Sequence, residues 1–495
     1  MTIQTCHGSL AKVSKLNYLK MEKNKKNILI NIAEVLASNV ATIIAGIVLG
    51  FIIPKVLTVD GFGYYKTFTL YATYTGLFSL GIIDGIVLEY GGCDYHEYDR
   101  RLFRSIFRWY AFIHIIWAVI ILGFSILFHD SNYSYIAIMI AIYMFFANFV
   151  GYFQQISQIT QRFKEYSIAK IIQSLMRIVS GLIMIALFLI TGDFVDYRIY
   201  IGLTVLEFVI VSIGYYLIYS DIIRGSYTPL AETKETLISL SRIGFPLLFA
   251  NLCSTLILSL DRQFVNLLFS NKEYAVYAFA YNLLALVTVA TSAISTVLYP
   301  MLKRTTKETL KENYSDLIGI MLVLVYGTLA AYFPLCKFIR WFLPNYIDSL
   351  VIFRIIFPGL AISSAVTVVM HNYYKTLGDN YRYFIRSIVV LIISAIANLI
   401  AYLCFHTTIS ISIASIITMI IWYVYVEQYF VLNYKYDRRK NLGYLIVMMI
   451  AFYLVTIMEN WIISLLLYLL VFSLITVVMQ KNIIINAKKI LKKTS

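Results

Sequence analysis

Ionisable side chains inside long apolar stretches are the residues of this 495-residue chain whose type and position could do chemistry. An ionised side chain at the centre of a bilayer costs about 2.5 to 3.5 kcal/mol on insertion scales, so we interpret such groups as functional. Four carboxylates and five cations stand in such stretches or at their ends: Glu34, Asp84, Glu207, Asp261, Lys55, Lys66, Arg177, Arg262 and Arg354.

We interpret the five cations as candidates for lining a cavity and contacting a polar substrate. Arg262 and Arg354 are the first candidates, because a planar guanidinium can hold two acceptor oxygens at once. We interpret the four carboxylates as charge partners of the cations or as ion-coupling groups. In the alternative interpretation the lysines extend to the outer lipid head groups and Arg262 neutralises Asp261 structurally.

The composition identifies a membrane protein. The chain is 60% hydrophobic and only 14% charged, whereas a soluble chain is about one quarter charged. Its five cysteines form no CxxC pair and have no zinc spacing, so we expect no metal site. The sequence contains no GxxxxGK[ST] phosphate loop, and we therefore predict neither a cofactor nor ATP hydrolysis by this chain.

Apolar runs of about twenty residues predict fourteen transmembrane helices, since one span needs about that length. Only Met458, Glu459 and Asn460 separate the last two runs, which we expect to form a hairpin. The 41 tyrosines are expected mainly in belts at the two membrane interfaces. The predicted spans cover residues 28–53, 67–88, 110–128, 135–156, 168–190, 200–219, 243–269, 274–298, 317–336, 350–370, 383–405, 409–431, 442–457 and 461–478.

The placement of positive charge predicts the orientation. Most of the 41 Lys and Arg residues fall in alternate connections and in the two tails, which places both termini in the cytoplasm by the positive-inside rule. The net charge of +15 therefore reflects topology, and we expect no nucleic-acid partner. The start of the chain lacks the pattern of a signal peptide, and Met21 is an alternative start. The segment from Ile483 to Lys493, which mixes basic and aliphatic residues, is expected to lie on anionic lipid head groups.

Two short internal matches predict that the first twelve helices form a repeat of six. The segment from Gln158 to Lys170 matches that from Lys375 to Arg386, and Gly61 to Phe68 matches Tyr274 to Tyr281 at nearly the same separation. Chance similarity between Tyr- and Ile-rich segments is the alternative. The predicted divisions are a cytoplasmic tail 1–27, an N-lobe 28–219, a cytoplasmic linker 220–242, a C-lobe 243–431, a hairpin 442–478 and a basic tail 479–495.

Several short motifs resemble those of the polysaccharide flippases, which belong to the multidrug/oligosaccharidyl-lipid/polysaccharide exporter superfamily. The resemblance covers the chain from about Asn27 onward and rests on the order of these motifs: Pro54-Lys-Val-Leu57, Phe62-Gly-Tyr64, Leu80-Gly-Ile-Ile-Asp84-Gly-Ile, Ile243-Gly-Phe-Pro246, Leu260-Asp-Arg262 and Val276-Tyr277. It implies an all-α polytopic membrane protein with 14 transmembrane helices. Two six-helix lobes in a V-shaped inverted-cavity arrangement and a C-terminal helix pair are then expected.

The resemblance also implies a function. A flippase of this kind moves undecaprenyl-pyrophosphate-linked oligosaccharide repeat units across the bacterial inner membrane for O-antigen, capsule or exopolysaccharide synthesis. The resemblance implies that the cations contact the diphosphate of this substrate, with Arg262 and Arg354 as the first candidates. The expected partners are this lipid-linked oligosaccharide, membrane lipids, and the polymerase and glycosyltransferases of the same pathway. A flippase for the peptidoglycan lipid precursor and a drug/cation antiporter of the same superfamily are the alternatives, and a membrane-bound polymerase or glycosyltransferase is a third.

Overall fold

The computed structural model describes residues 42, 44–91, 95–303 and 305–481, without the side chains of 230, 250, 286–297, 299–301, 303 and 380. The predicted tail 1–27, the first part of the predicted first span with Glu34, and residues 482–495 of the predicted basic tail lie outside the described residues. In the described ranges the chain is helical and contains no β-strand, with one isolated parallel bridge between Leu57 and Val195.

The chain divides into two compact units, here called the N-terminal unit (Met1–Phe249) and the C-terminal unit (Ala250–Ser495). The N-terminal unit contains α1 (Ile44–Val56), α2 (Val59–Ala72), α3 (Ile82–Tyr90), α4 (Arg100–Ser125), α5 (Ser131–Ile159), α6 (Phe163–Thr191), α7 (Tyr197–Ile218) and most of α8 (Leu230–Ile257). The predicted lobe boundaries and the internal repeat stay predictions.

The C-terminal unit is built from shorter helices and several long ones. These are α9 (Leu260–Leu268), α10 (Asn271–Lys303), α11 (Lys307–Thr328), α12 (Tyr332–Phe342), α13 (Ser349–Ile356), α14 (Gly359–Ser364), α15 (His371–Leu377), α16 (Asn380–Phe405), α17 (Thr408–Tyr434), α18 (Arg439–Val455) and α19 (Trp461–Met479). A π-helical segment, Ala365–Met370, joins α14 to α15.

The helices identify a multi-pass membrane protein. Within the described ranges, nine helices are long and apolar enough to cross a membrane, and eleven if each of two bent pairs is one span. One pair joins Val59–Ser79 to Ile82–Tyr90 at 57°, and the other joins Ser349–Ile356 to Gly359–Leu377 at 45°. The predicted all-α polytopic class is confirmed, and the count of fourteen spans stays a prediction.

The start of α8 differs from the sequence-based boundary. We predicted a linker over 220–242, but the helix begins at Leu230 and continues through Pro246. The segment from Ala231 to Leu240 is rich in Ala, Glu, Lys and Leu, which are strong helix formers even where the sequence is charged. The charged residues of this segment therefore do not mark the end of the helix.

Two of the glycine motifs place α3 directly against α8. A Cβ atom built on Gly85 would overlap the carbonyl oxygen of Leu240, and one built on Gly244 would overlap the carbonyl oxygen of Gly81. Gly81 has a φ of 77°, in the left-handed region that favours glycine, and it separates α3 from the preceding 3-10 turn. The glycines therefore allow backbone-to-backbone contact at a break in the span.

Many tyrosines lie inside the protein. We expected Tyr215, Tyr373 and Tyr374 in an interface belt, but each side chain is buried between helices. The Tyr373 hydroxyl donates to the Leu310 carbonyl oxygen at 3.1 Å, and the Tyr374 hydroxyl donates to that of Val426 at 3.0 Å. The belt interpretation is wrong for these three buried residues, and the hydroxyls of Tyr373 and Tyr374 bond backbone acceptors on neighbouring helices.

Candidate functional site

Arg177 on α6 and Glu207 on α7 form an ion pair in the N-terminal unit. The Nε atom of Arg177 lies 3.1 Å from Oε1 and 3.2 Å from Oε2 of Glu207. The Glu207 side chain is 2% exposed, whereas 34% of the Arg177 side chain remains exposed. Because Glu207 is buried, its charge needs a partner, and Arg177 supplies one. The structure thus brings two predicted site residues together as a neutral pair.

Asp261, in the first turn of α9, is buried and fully provided with hydrogen-bond donors. Its Oδ2 atom accepts from the hydroxyl of Tyr277 at 2.7 Å and also from the hydroxyl of Tyr281, one turn further along α10. Its Oδ1 atom accepts from the backbone N–H of Arg262 at 2.7 Å. Three donors stabilise a carboxylate, so Asp261 does not depend on the neighbouring guanidinium for its hydrogen bonds.

The Arg262 side chain contacts Tyr281 and forms no salt bridge with any of the described residues. Its guanidinium carbon lies 4.6 Å from the centroid of the Tyr281 ring. One Nη2–H donates to the Leu258 carbonyl oxygen at 3.1 Å, while the buried Nε–H has no acceptor in the described part of the chain. A guanidinium has five N–H donors, so Arg262 keeps donors for a further acceptor.

Arg262 forms part of the wall of a cavity of about 210 Å³ within the C-terminal unit, here called the Arg262 cavity. Apart from this cation, the tyrosine and one serine, the walls are apolar. A cation facing an apolar cavity attracts an anionic group strongly, because little water screens the charge. The lining residues are Leu258, Arg262, Tyr281, Leu284, Ala285, Ile356, Gly359, Leu360, Ser363 and Met419.

Arg354 does not line the Arg262 cavity, although Ile356 on the same helix does. The Arg354 side chain is half-buried and acts electrostatically on Tyr332, Cys336 and Tyr453. The structure therefore separates the two arginines that the sequence predicts to share a phosphate. A role for Arg354 in binding stays a prediction.

The remaining predicted residues lie in the N-terminal unit. The Lys66 ammonium on α2 lies 5.3 Å from the ring centroid of Phe62 and 5.2 Å from that of Tyr65. Lys55 is exposed near the end of α1, and Asp84 is half-buried in the first turn of α3, directly after the break at Gly81. Their proposed contacts with substrate stay predictions.

The sequence interpretation missed Glu427. This glutamate lies on α17, inside the predicted span 409–431, and is fully buried. The rule that singled out Glu207, an ionisable group within an apolar run, applies to Glu427 equally. Across the described residues, no group of three or more His, Cys, Asp or Glu side chains could hold a metal ion.

Solved transporter structures share this fold. The structure superposes on the lipid II flippase MurJ in an inward closed conformation with a TM-score of 0.70 and 14% identity, over 92% of this chain and 100% of that one. The inward-facing conformation of a multidrug resistance MATE family transporter of the MOP superfamily superposes with a TM-score of 0.56 and 14% identity, over 80% of this chain and 95% of that one. A Vibrio cholerae MATE transporter superposes with a TM-score of 0.52 and 13% identity, over 82% of this chain and 96% of that one.

The sequence comparison agrees with the fold. No curated protein matches the sequence significantly. Residues 28–306 match the family described as polysaccharide biosynthesis protein, which is more than half of the chain. The resemblance seen in the motifs is confirmed by this match together with the shared fold. The chain belongs to the polysaccharide biosynthesis protein family.

Proposed function

We propose that this membrane protein is a flippase for undecaprenyl-pyrophosphate-linked oligosaccharide repeat units. It moves them from the cytoplasmic to the outer leaflet of the bacterial inner membrane, for O-antigen, capsule or exopolysaccharide synthesis. The observation that carries the proposal is the Arg262 guanidinium, which faces an apolar cavity with a donor to spare in a member of the polysaccharide biosynthesis protein family.

The chemistry of the substrate matches this arrangement. A diphosphate carries negative charge and many acceptor oxygens, and moving it through a membrane protein requires a cation that replaces its water. Arg262 can donate to two phosphate oxygens in its planar geometry. Asp261 supports this role indirectly, since its hydrogen bond from Tyr281 fixes the ring against which the guanidinium packs.

The remaining expectations belong to the same proposal. Both termini lie in the cytoplasm, and the polymerase and glycosyltransferases of the pathway are the functional partners. Transport is driven by an ion gradient, by the membrane potential or by removal of product on the outer side. The protein moves its substrate without chemical conversion, as a transporter and not as an enzyme.

A reconstituted flipping assay tests the proposal. The full chain is placed in liposomes with a fluorescent undecaprenyl-pyrophosphate oligosaccharide, and the fraction of label accessible to an added impermeant quencher is followed over time. We expect protein-dependent equilibration between leaflets. No acceleration over protein-free liposomes contradicts the proposed function.

The likeness to the lipid II flippase MurJ favours one second candidate, a flippase for the peptidoglycan lipid precursor. Both candidate substrates share the polyprenyl diphosphate and differ in the sugar. The same liposomes with labelled lipid II distinguish them, and so does competition between the two lipids. Faster flipping of lipid II than of the oligosaccharide lipid supports the second candidate, and uptake of cationic dyes with no lipid flipping supports an antiporter.

A further inference from the structure

A fully buried carboxylate without a nearby cation lies in the C-terminal unit. Glu427 on α17 is 0% exposed. Its Oε1 atom accepts a hydrogen bond from the Tyr423 hydroxyl, one turn earlier, at 3.1 Å. Its Oε2 atom is buried and has no hydrogen-bond partner within the described ranges, where no Lys, Arg or His forms a salt bridge with it either.

The groups that face Glu427 are three tyrosines and one arginine. Tyr423 lies on the same helix, and Tyr314 of α11 faces the carboxylate with a buried hydroxyl that has no partner among the described residues. Tyr436, in the connection after α17, places its hydroxyl beside the carboxylate. Arg438 contributes an electrostatic interaction, but it forms no salt bridge with Glu427 among the described residues.

Arg438 is occupied elsewhere. Its Nη1–H donates to the side-chain oxygen of Gln428 at 2.9 Å. Glu427 thus differs from Glu207, whose buried charge is matched by Arg177 in direct contact. A buried carboxylate that lacks such a cation is far less costly in its neutral, protonated form.

Tyr436 links Glu427 to the loop that follows α17, and a network of buried polar side chains holds its hydroxyl. The Asn441 side-chain N–H groups donate to the Tyr436 hydroxyl at 3.0 Å and to the Ser315 carbonyl oxygen at 2.9 Å. Gln480 donates to the Asn441 side-chain oxygen at 3.0 Å. Lys435 and Asp437, on either side of Tyr436, are exposed. Solvent at the loop is therefore one tyrosine away from the carboxylate.

We propose that Glu427 is a proton-binding site, separate from the Arg262 cavity. A proton from water at the loop forms an O–H bond on the carboxylate and removes its charge, and the reverse step returns the proton to water. A metal cation fits poorly, because a hard cation takes several oxygen ligands and, among the described residues, Glu427 belongs to no group of three or more His, Cys, Asp or Glu side chains.

Infrared difference spectroscopy of the purified full chain tests the site without any substrate. We expect the C=O band of a protonated carboxyl group that appears and disappears with pH and is absent from Glu427→Gln. Glu232→Gln, which changes an exposed glutamate on α8, keeps the band. Two results overturn the proposal. In one, the wild type shows this band at no pH; in the other, the band stays unchanged over the whole pH range in which the protein is folded.

A second variant keeps the test decisive if Glu427→Gln fails to fold. Tyr423→Phe removes the hydroxyl that donates to Oε1 and leaves the carboxyl group in place. Since this donor favours the charged form, its loss should move the pH at which the band appears upward. An unchanged titration in Tyr423→Phe contradicts the assignment of the band to Glu427.

A transport assay tests whether the site acts in flipping, and this assay rests on the proposed flippase activity. In liposomes with an imposed pH gradient, we expect Glu427→Gln to lose the response of flipping to the gradient while flipping at equal pH persists. An equal response in the variant contradicts coupling at this site. If the wild type flips no lipid at all, the proposed function fails, and the infrared result still decides whether Glu427 binds a proton.

Discussion

The guanidinium carbon of Arg262 lies 4.6 Å from the centroid of the Tyr281 ring. The same ring carries the hydroxyl that donates to Asp261, so one tyrosine positions both neighbours. A cation over an aromatic face gains about 0.5 to 2 kcal/mol, depending on how dry the site is. Arg262 is thus held at its cavity by an aromatic ring and not by an ion pair, which leaves its charge for a substrate anion.

Variants of Tyr281 separate the ring from the hydroxyl. Tyr281→Phe keeps the ring and removes one of two phenol donors to Asp261, so we expect a loss of about 1 kcal/mol in stability and nearly normal flipping. Tyr281→Leu also removes the cation–π contact, worth about 0.5 to 2 kcal/mol, and should slow flipping roughly two- to thirty-fold. Initial flipping rates in matched liposomes measure the difference, and equal rates for the two variants contradict this role of the ring.

The Arg177–Glu207 pair predicts a stability effect. Arg177→Gln leaves Glu207 buried without its cation, which costs about 3 to 5 kcal/mol for a buried pair. We expect a cost at the lower end of this range, because 34% of the Arg177 side chain is exposed. In detergent, the unfolding temperature of Arg177→Gln should be much lower than that of the wild type. Adding Glu207→Gln should restore a substantial part of it. A single variant that is stable but does not flip lipid would instead favour Arg177 as a substrate contact.

The contact between α3 and α8 predicts intolerance to a single methyl group. Gly85→Ala places a Cβ atom onto the Leu240 carbonyl oxygen, and such overpacking costs about 1 to 3 kcal/mol or more. Gly214→Ala is the matched control, because nothing lies within 4 Å of its Cβ position on α7. Expression and unfolding temperature should fall for the first variant only. Equal behaviour of the two variants contradicts the close backbone contact.

The distribution of Lys and Arg predicts the orientation of each connection. Reporter fusions after Asn271 and His406 should be active outside the cytoplasm, and fusions after Lys307 and Arg439 should be active inside it. Each fusion is compared with its abundance on a blot. A fusion on the opposite side from its prediction refutes the orientation.

The helical class could be predicted from the sequence because apolar runs set the length of each span regardless of packing. The breaks could not be predicted in the same way. The bend before α3 depends on Leu80 and Gly81 both adopting positive φ, with angles of 52° and 77°. The motif containing Gly81 was recognised, but its close contact with α8 is a tertiary property.

The candidate site was predictable in its residue types and not in its pairings. An apolar helix carries little periodic signal for its rotation, so the sequence could not show that Arg177 meets Glu207 or that Arg354 is absent from the lining of the Arg262 cavity. It also could not show that two tyrosines satisfy Asp261. Glu427 could have been found by the rule used for Glu207.

Flipping by Arg262 variants tests the central claim most directly. Wild type, Arg262→Gln, Arg262→Lys and the exposed control Arg439→Gln are reconstituted at equal amounts with labelled undecaprenyl-pyrophosphate oligosaccharide. Losing a charge-assisted contact costs about 1.5 to 3 kcal/mol, so Arg262→Gln should flip roughly ten- to a hundred-fold more slowly at normal abundance. The flipping rate of Arg262→Lys should lie between those of Arg262→Gln and the wild type, and that of Arg439→Gln should equal the wild-type rate. Wild-type flipping by Arg262→Gln would contradict the account, as would a failure of this variant to fold, which would assign Arg262 a structural role.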